Sequence, residues 1–326
     1  MKEYEDFTEC YYDLVKQVYL NNEHESAPRG LRIKETLGVT FAIKNPLNRL
    51  LYIPERGFSL TYAIAEILWY SLGENSTKWI SNYSNFWSNI SDDGLTANSA
   101  YGARMFKPHF AIARNRIVQW DYVYEELKRD PDSRRAVIHI RTPDDSVDAK
   151  LDVPCTLSMQ FFIRNGKLDM VVNMRSSDLI FGISYDIPAF TYFQELLALR
   201  LGIQVGKYMH MSNSLHIYER HFDMCEKILA GESQNKLNRL PMPQMKETPN
   251  FDMLNKLQNL SLHMDTQEKL EALINYSKLF FTNMNLPIEN DWISILLSNQ
   301  AKKLKLQALK TKLITETTFE GFHAFT

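Results

Sequence analysis

The stretch MQFFIRNGKLDMVVNM, residues 159–174, carries the clearest structural signal in the chain. Residues 159–163 and 168–174 contain aromatic and β-branched side chains of the kind that favour strands. Between them, the Asn165-Gly166 pair suits the positive φ angles of a tight turn. The stretch therefore predicts a β-hairpin, and the run AVIHI at residues 136–140 predicts a further buried strand.

Helical patterns lie on both sides of this hairpin. Residues 58–72 predict a largely buried helix that stops before Gly73. Residues 187–201 predict another helix, with Asp186 as its N-cap and Gly202 just past its end. Strands and helices that mix without strict β-α-β alternation indicate an α+β fold.

The character of the sequence changes near residue 240. Residues 240–250 (LPMPQMKETPN) are punctuated by proline and indicate an extended connection. Beyond them, residues 265–284 and 290–315 predict helices. We therefore expect a main domain over residues 1–240 and a helical C-terminal extension over residues 241–326, whose role the sequence leaves open.

Composition and charge exclude several classes of function. Of the 326 residues, 44% are hydrophobic and 23% are charged, which excludes wholesale disorder. Lys and Arg number 37 against 39 Asp and Glu, so no overall basic field exists to bind a nucleic-acid polymer or an anionic membrane. Three cysteines are too few for a disulfide framework or a zinc site, and we expect no metal. The acidic start lacks an apolar signal region, and residues 58–72 are too short to span a bilayer, so we expect a soluble cytoplasmic protein.

Cys155 is informative only through its neighbours, because a single cysteine among apolar residues is more often a buried small hydrophobe than a nucleophile. Arg134 and Arg135 precede it and Arg175 lies on the far side of the hairpin, while the later residues of interest are His216 and Tyr218. Arginine binds phosphate in a bidentate manner, and its charge can lower the pKa of a nearby thiol. This pattern makes Cys155 a candidate nucleophile beside a phosphate-binding cluster.

Seven segments of the chain resemble the thymidylate synthase family in order and spacing. They are AEILWY (65–70), NSAYG (98–102), DPDSRR (130–135), VPC (153–155), QFFIRNGKL (160–168), RSSD (175–178) and SLHIYERH (214–221). The resemblance covers roughly residues 1–225. It implies a mixed β-sheet that forms the interface of a homodimer, surrounding helices, a catalytic domain over residues 1–240, and 5,10-methylenetetrahydrofolate as cosubstrate.

The resemblance also implies a role for each matching residue. Cys155 matches the nucleophile that adds to ring carbon 6 of a pyrimidine, and Tyr101 matches an active-site tyrosine. Glu66 matches a glutamate that organises water and relays protons; the alternative is an interior glutamate held by a salt bridge. The nucleotide would be bound by Arg29, Arg134, Arg135, Arg175, Ser176, Asp186, His216 and Tyr218, with Arg134 and Arg135 reaching across the dimer interface. The folate would be bound by Trp87, Asp178 and Gly182.

Two departures from the synthase pattern concern the base. Synthases have Asn where this chain has Asp186, and they usually read PCH where this chain reads PCT, with Thr156. An amide suits uracil, whereas a carboxyl group can accept from the amino group of cytosine and supply a proton to its ring nitrogen. The alternative for Asp186 is helix capping alone, and the helix dipole would favour its ionised form. Both departures resemble the deoxycytidylate hydroxymethylase branch of the family.

The function expected from this branch is a folate-dependent hydroxymethylase. It would convert dCMP and 5,10-methylenetetrahydrofolate to 5-hydroxymethyl-dCMP and tetrahydrofolate, with water capturing the methylene. Retention of Arg134, Arg135 and Ser176 favours the deoxynucleotide. The alternatives are a hydroxymethylase for CMP, a thymidylate synthase that methylates dUMP, and a non-catalytic nucleotide-binding scaffold. The sequence also leaves open whether water or hydride ends the reaction.

Overall fold

A computed structural model describes residues 1–110, 116–146, 150–232, 239–284 and 286–325. Its strands are β1 (Lys2–Tyr4), β2 (His24–Ser26), β3 (Ile33–Ile43), β4 (His109–Phe110), β5 (Arg116–Ile117), β6 (Val137–His139), β7 (Thr156–Arg164), β8 (Lys167–Met174), β9 (Ser177–Asp178) and β10 (Gln204–Tyr218). Its helices are α1 (Phe7–Val15), α2 (Leu60–Ser71), α3 (Thr77–Ile80), α4 (Phe86–Ile90), α5 (Tyr101–Phe106), α6 (Gln119–Arg129), α7 (Ile183–Leu201), α8 (Phe222–Gly231), α9 (Phe251–Ser261), α10 (Gln267–Asn283), α11 (Pro287–Lys303) and α12 (Gln307–Thr315). The α+β class predicted from the sequence is confirmed.

A mixed sheet forms the centre of the fold. Its strands follow the order β1-β3-β10-β8-β7-β6, with β2 added to β3 and β9 added to β10. Strand β10 runs antiparallel to β3 and parallel to β8, so its two edges have different hydrogen-bond patterns. The parallel pairing requires a crossover, and α7 supplies it by packing on β8 and β10.

The predicted hairpin is present as β7 and β8. Asn165 and Gly166 have φ angles of 51° and 70°, as the turn requires. Phe161 pairs with Met170, and both side chains are fully buried. Alternation along the two strands therefore turns one face towards the core beneath α6 and α7.

Helix α7 begins one turn earlier than predicted. The sequence indicated a start at Ile187 with Asp186 as the N-cap, but the helix starts at Ile183 and its N-cap is Gly182. The backbone N–H groups of residues 180 and 181, just before the helix, donate to the carboxylate of Asp178 and not to that of Asp186. Asp186 lies inside the first turn, where its side chain is not needed as a cap. The predicted C-terminus is confirmed, since Gly202 follows the helix with a φ of 70°.

Helix α2 closely matches its prediction. It runs from Leu60 to Ser71, and Ser59 Oγ accepts from the backbone N–H of Tyr62 as its N-cap. A close approach fixes its C-terminal end, because a Cβ on Gly102 of α5 would lie 2.1 Å from the carbonyl oxygen of Tyr70. Only glycine allows the two backbones to lie so near each other.

The described residues of the C-terminal part form four α-helices where two were predicted. Helix α9 was missed, and the span 290–315 is split into α11 and α12 by Lys305, whose φ is 61°. Helix α11 packs on α2 and α9, and the buried ring of Trp292 lies 5.2 Å from that of Tyr192 on α7. The division at residue 240 stays a prediction. Among the described helices, none is both long and apolar enough to cross a membrane.

Candidate active site

Cys155 lies directly before β7, where the hairpin brings it beside Arg175. The register pairs Thr156 with Met174, so the residues just outside this pair face each other, and Arg175 N–H donates to the Cys155 carbonyl at 2.9 Å. The Arg175 guanidinium also donates to the carbonyls of Val153 and Pro154, both at 2.9 Å. These bonds hold one guanidinium nitrogen 3.7 Å from the Cys155 sulfur.

Within this chain, the thiol of Cys155 does not have the lowered pKa of an activated nucleophile. Burial raises the pKa of the Cys155 thiol; the Arg175 guanidinium opposes this rise, and the negative charge of Asp186 adds to it. Arg175 thus acts on this pKa in the expected direction, but burial outweighs one cation and the pKa remains above its ordinary value. A thiolate here needs further positive charge or a proton acceptor.

Glu66 is a buried carboxyl on the inner face of α2. The hydroxyl of Tyr62 donates to Glu66 Oε1 at 2.6 Å, and that of Tyr70 reaches the same oxygen at 3.5 Å. Burial raises the pKa of Glu66 to about 7, while the two tyrosine hydrogen bonds act in the opposite direction. Hydroxyl groups rather than a cation satisfy this carboxyl, and its pKa suits a group that exchanges protons near neutral pH.

Asp186 and Tyr101 lie in the same region of the cleft. Burial raises the pKa of Asp186 well above its ordinary value, and the negative charges of Glu66 and Asp178 add to the effect. Burial and these two like charges act against the helix dipole, which favours the ionised form, and they shift Asp186 towards its neutral form. Tyr101 is buried, and its ring stacks on that of Tyr70 with centroids 5.4 Å apart.

Asp178, His216 and Tyr218 come together through the pairing of β9 with β10. Asp178 is opposite His216 in the register, and the rings of His216 and Tyr218 meet edge to face at 5.1 Å. Burial lowers the pKa of His216, against the opposing effect of Asp178. Gly182 closes this corner, since a Cβ there would lie 2.7 Å from the Asp178 carbonyl oxygen. Residues predicted from two motifs far apart in the sequence, together with Gly182, thus share one site.

A family model described as thymidylate synthase matches residues 9–269. The chain belongs to the thymidylate synthase family. It is 36% identical over 218 residues to a deoxyuridylate hydroxymethyltransferase of Bacillus phage SP01, covering 65% of this chain and 57% of that protein. It is 28% identical over 191 residues to a thymidylate synthase of Bacillus phage phi3T, covering 58% of this chain and 68% of that protein. The family resemblance found in the sequence is confirmed, and the hydroxymethyltransferase relative is consistent with a hydroxymethylase branch.

Solved structures support the same fold. A thermostable thymidylate synthase A from Bacillus subtilis aligns with a TM-score of 0.59 at 21% identity, over 76% of this chain and 91% of that one. At this identity the likeness concerns the fold alone. The match to the phage hydroxymethyltransferase covers less than two thirds of that relative's length, so the family assignment does not by itself fix the reaction.

Three arginines expected at the family's phosphate site lie apart from Cys155. Arg134 and Arg135 are exposed in the turn before β6, and Arg29 is exposed in a short turn with a φ of 54°. Their role at a partner subunit's site, or after loop movement, stays a prediction. Ser176 follows Arg175 at a half-buried position, and Trp87 is buried on α4.

Several residues of the site were missed by sequence reasoning. Tyr62 could have been found, because it lies four residues before Glu66 and therefore on the same helix face. Arg56 and Tyr185 had no such signal: the Arg56 guanidinium lies 5.0 Å from the ring of Phe181 and 5.3 Å from that of Tyr185. Within the described ranges, no group of three or more His, Cys, Asp or Glu side chains could hold a metal ion.

Proposed function

We propose that this chain transfers a hydroxymethyl group from 5,10-methylenetetrahydrofolate to carbon 5 of dCMP. One observation carries the choice of base. Asp186 replaces the family's asparagine, and burial raises its pKa well above the ordinary value, so a neutral carboxyl faces the cleft. Within the described part of the chain, its carboxyl oxygens make no hydrogen bond. The Asp186 side chain is half-buried, so its oxygens are open to hydrogen bonds from a bound base.

A neutral carboxyl matches cytosine by offering one acceptor and one donor. Its carbonyl oxygen accepts from the exocyclic amino group, and its O–H donates to the ring nitrogen. Donation to the ring nitrogen withdraws electrons from carbon 6, the atom that Cys155 would attack. The same residue therefore recognises the base and activates it.

The other residues supply nucleophile, charge and proton exchange. Arg175 would bind the phosphate while lying 3.7 Å from the Cys155 sulfur, and its charge opposes the rise that burial causes in the pKa of that thiol. Glu66, with a pKa of about 7, can hold or release a proton at the base. The folate supplies the one-carbon unit, and Trp87, Asp178 and Gly182 would form its site. Addition of water to the exocyclic methylene would complete the hydroxymethyl product.

A second candidate substrate is dUMP, favoured by the phage relative whose name is deoxyuridylate hydroxymethyltransferase. A neutral carboxyl can turn over, so that its O–H donates to the uracil oxygen and its carbonyl accepts from the ring N–H. The objection that Asp186 offers uracil only acceptors holds for the ionised form alone. A neutral carboxyl can therefore bind either base. We favour dCMP because the amide that the family has at this position already satisfies uracil, so its replacement by a carboxyl is expected where the base is cytosine.

The decisive experiment measures the product of each nucleotide. Purified protein is incubated with methylenetetrahydrofolate and with dCMP, dUMP or CMP, and the nucleotide is analysed by mass spectrometry. We expect CH2O to be added to dCMP. A hydroxymethyl product from dUMP alone would establish the second candidate, a product from CMP would establish a ribonucleotide enzyme, and a methyl product from dUMP would make this a thymidylate synthase.

The variant Asp186→Asn tests the recognition role. An amide has no ionisable proton to give to the ring nitrogen of cytosine, whereas its N–H and C=O groups satisfy uracil without any proton transfer. We expect the ratio of kcat/KM for dCMP over dUMP to fall at least tenfold. An unchanged ratio would show that Asp186 does not read the base. The variant Cys155→Ala is the control for catalysis, because a nucleotide-binding scaffold would keep its affinity and its biological activity.

The homodimer with arginines shared across its interface is tested by mixing two inactive variants. Cys155→Ala lacks the nucleophile, and Arg134→Ala with Arg135→Ala lacks the arginines that a partner would supply. In a symmetric dimer, random exchange should restore about one quarter of the wild-type rate, since half the dimers are mixed and each has one complete site. A mixture as inactive as its components would refute the sharing.

A further inference from the structure

Tyr62 lies between two residues of the proposed active site, and it does not belong to the motifs that identify the family in this sequence. Its hydroxyl donates to Glu66 Oε1 at 2.6 Å and accepts from the indole N–H of Trp87 at 3.0 Å. The directions of these bonds follow from chemistry, because the indole can only donate. When Glu66 is ionised its oxygens can only accept, so the single proton of Tyr62 points at Oε1.

This direction has a consequence for Glu66. Oε1 receives the proton of Tyr62, and Tyr70 reaches the same oxygen at 3.5 Å. An oxygen that accepts such bonds is a poor place for a further proton. When Glu66 is neutral, its own proton must then be on Oε2.

We propose that Tyr62 is a positioning residue that fixes Oε2 as the oxygen of Glu66 from which a proton is exchanged. The inference rests on the proposed function, since it assigns a task to that proton. A carboxyl that passes a proton to a substrate works best when one oxygen is anchored and the other is free to exchange. The bond from Tyr62 provides the anchor.

The ring of Tyr62 packs on a residue of α7, Tyr185. It meets the ring of Tyr185 edge to face at 4.7 Å. The hydroxyl of Tyr185 accepts from the backbone N–H of Ser59, the N-cap of α2. Tyr185 directly precedes Asp186, so one chain of contacts joins the proton-exchanging carboxyl to the base-reading carboxyl.

The hydroxyl of Tyr62 remains a donor at every working pH. Burial raises the pKa of Tyr62 well above its ordinary value, and the negative charge and hydrogen bond of Glu66 raise it further. In return, the bond from Tyr62 lowers the pKa of Glu66 against the larger effect of burial. Removing the hydroxyl should therefore make the neutral form of Glu66 persist to higher pH.

The test is Tyr62→Phe, which removes one oxygen and keeps the ring packed on Tyr185. The protonation of Glu66 is followed by infrared difference spectroscopy of the carboxyl C=O band, assigned by its absence in Glu66→Gln. We expect the midpoint to rise by about one to two pH units, the worth of one hydrogen bond to a charged group. We also expect kcat to fall more than tenfold with the KM for nucleotide within about threefold.

The matched control is Tyr70→Phe, whose hydroxyl lies 0.9 Å further from the same oxygen (3.5 against 2.6 Å). It should shift the midpoint by less than half as much. If Tyr62→Phe does not fold, 3-fluorotyrosine at position 62 supplies a more acidic phenol of nearly the same size, and the midpoint should move down. An unchanged midpoint in either Tyr62 variant overturns the proposal, whatever happens to kcat.

The proposed function and the positioning role of Tyr62 can be refuted independently of each other. The infrared titration needs no turnover, so it reports on Tyr62 and Glu66 even if none of the nucleotides reacts. A shifted midpoint without any product would sink the proposed function and leave the positioning of the proton standing. A product from dCMP with an unshifted midpoint would do the reverse.

Discussion

The replacement of Asp145 by alanine should destabilise the protein strongly, because Asp145 is the acceptor of a buried arginine. The Arg104 guanidinium donates to both oxygens of Asp145, at 2.7 and 2.8 Å, and to the carbonyls of Asn98 and Ile140. The side chains of Arg104 and Asp145 are 12% and 2% exposed. Asp145 also accepts from the backbone N–H of Thr142 and from the side chain of Asn98, both at 2.9 Å.

The magnitude follows from this burial. Removing one partner of a buried ion pair leaves the other charge uncompensated, which costs about 3 to 5 kcal/mol. The matched control is Asp265→Ala, whose pair with Lys269 is 70% and 57% exposed and should contribute little to stability because water and salt screen it. Activity should fall with stability in Asp145→Ala, because Asn98 also donates to the carbonyl of Asp152, three residues before Cys155.

The assay is urea unfolding followed by tryptophan fluorescence and by activity. A loss of unfolding free energy below about 1 kcal/mol, equal to that of the surface control, would refute the reasoning. The pH dependence gives a second check. Burial alone would raise the pKa of Asp145, but hydrogen bonds from Arg104, Thr142 and Asn98 outweigh it and hold that pKa below its ordinary value. Its contribution is thus present above an unfolded pKa of about 3.9 and is lost as the pH falls towards the folded value, so wild type and variant should converge in acid.

Three further changes test other parts of the fold. Gly102→Ala places a Cβ 2.1 Å from the Tyr70 carbonyl oxygen and should cost about 3 kcal/mol or more of unfolding free energy, measured by urea unfolding; a neutral result would contradict the close approach of α2 and α5. Trp292→Ala should cost about 3 to 5 kcal/mol within one cooperative transition, with the 56%-exposed Tyr276→Ala near neutral, and a separate early transition that spares activity would show that the C-terminal helices unfold independently. Iodoacetamide labelling of Cys155 should have a midpoint above the ordinary thiol pKa of about 8.5, because burial raises that pKa; a lower midpoint in the nucleotide-free protein would contradict this.

The elements that the sequence predicted well have local signals. The hairpin turn needs positive φ at two successive residues, and the pair Asn165-Gly166 is the sequence signal for such a turn. Helix α2 has a serine cap before it and Gly73 after it. By contrast, Lys305 adopts a φ of 61° between α11 and α12, and a lysine gives no warning of such a conformation. The predicted single helix is therefore interrupted at a residue that is not of helix-breaking type.

The candidate site was predictable where one motif or one helix turn holds its parts. Cys155 directly precedes β7 and Arg175 directly follows β8. Their proximity therefore follows from the register of the hairpin, which pairs Thr156 with Met174. Distances between motifs were out of reach, and so was the balance of burial against charge that decides a pKa. For Cys155, burial raises the pKa of the thiol by more than one arginine lowers it, so the thiol is not activated within this chain. Arg134 and Arg135 lie on the surface of the single chain, so the predicted phosphate-binding role of these two arginines concerns the site of a partner subunit.

Asp186 shows how the start of a helix can decide the chemistry of a site. An N-cap aspartate is ionised, because its carboxylate accepts backbone N–H groups at the positive end of the helix dipole. The backbone amides of residues 180 and 181, just before α7, donate to Asp178, which leaves Asp186 inside the first turn with Glu66 and Asp178 as negative neighbours. Burial and these neighbours shift such a carboxyl towards its neutral form, which can both donate and accept. The one-turn displacement of the helix start therefore puts Asp186 where the neutral form is favoured, which is the form that the proposed recognition of a pyrimidine edge requires, and the choice between cytosine and uracil would then depend on which way that carboxyl turns.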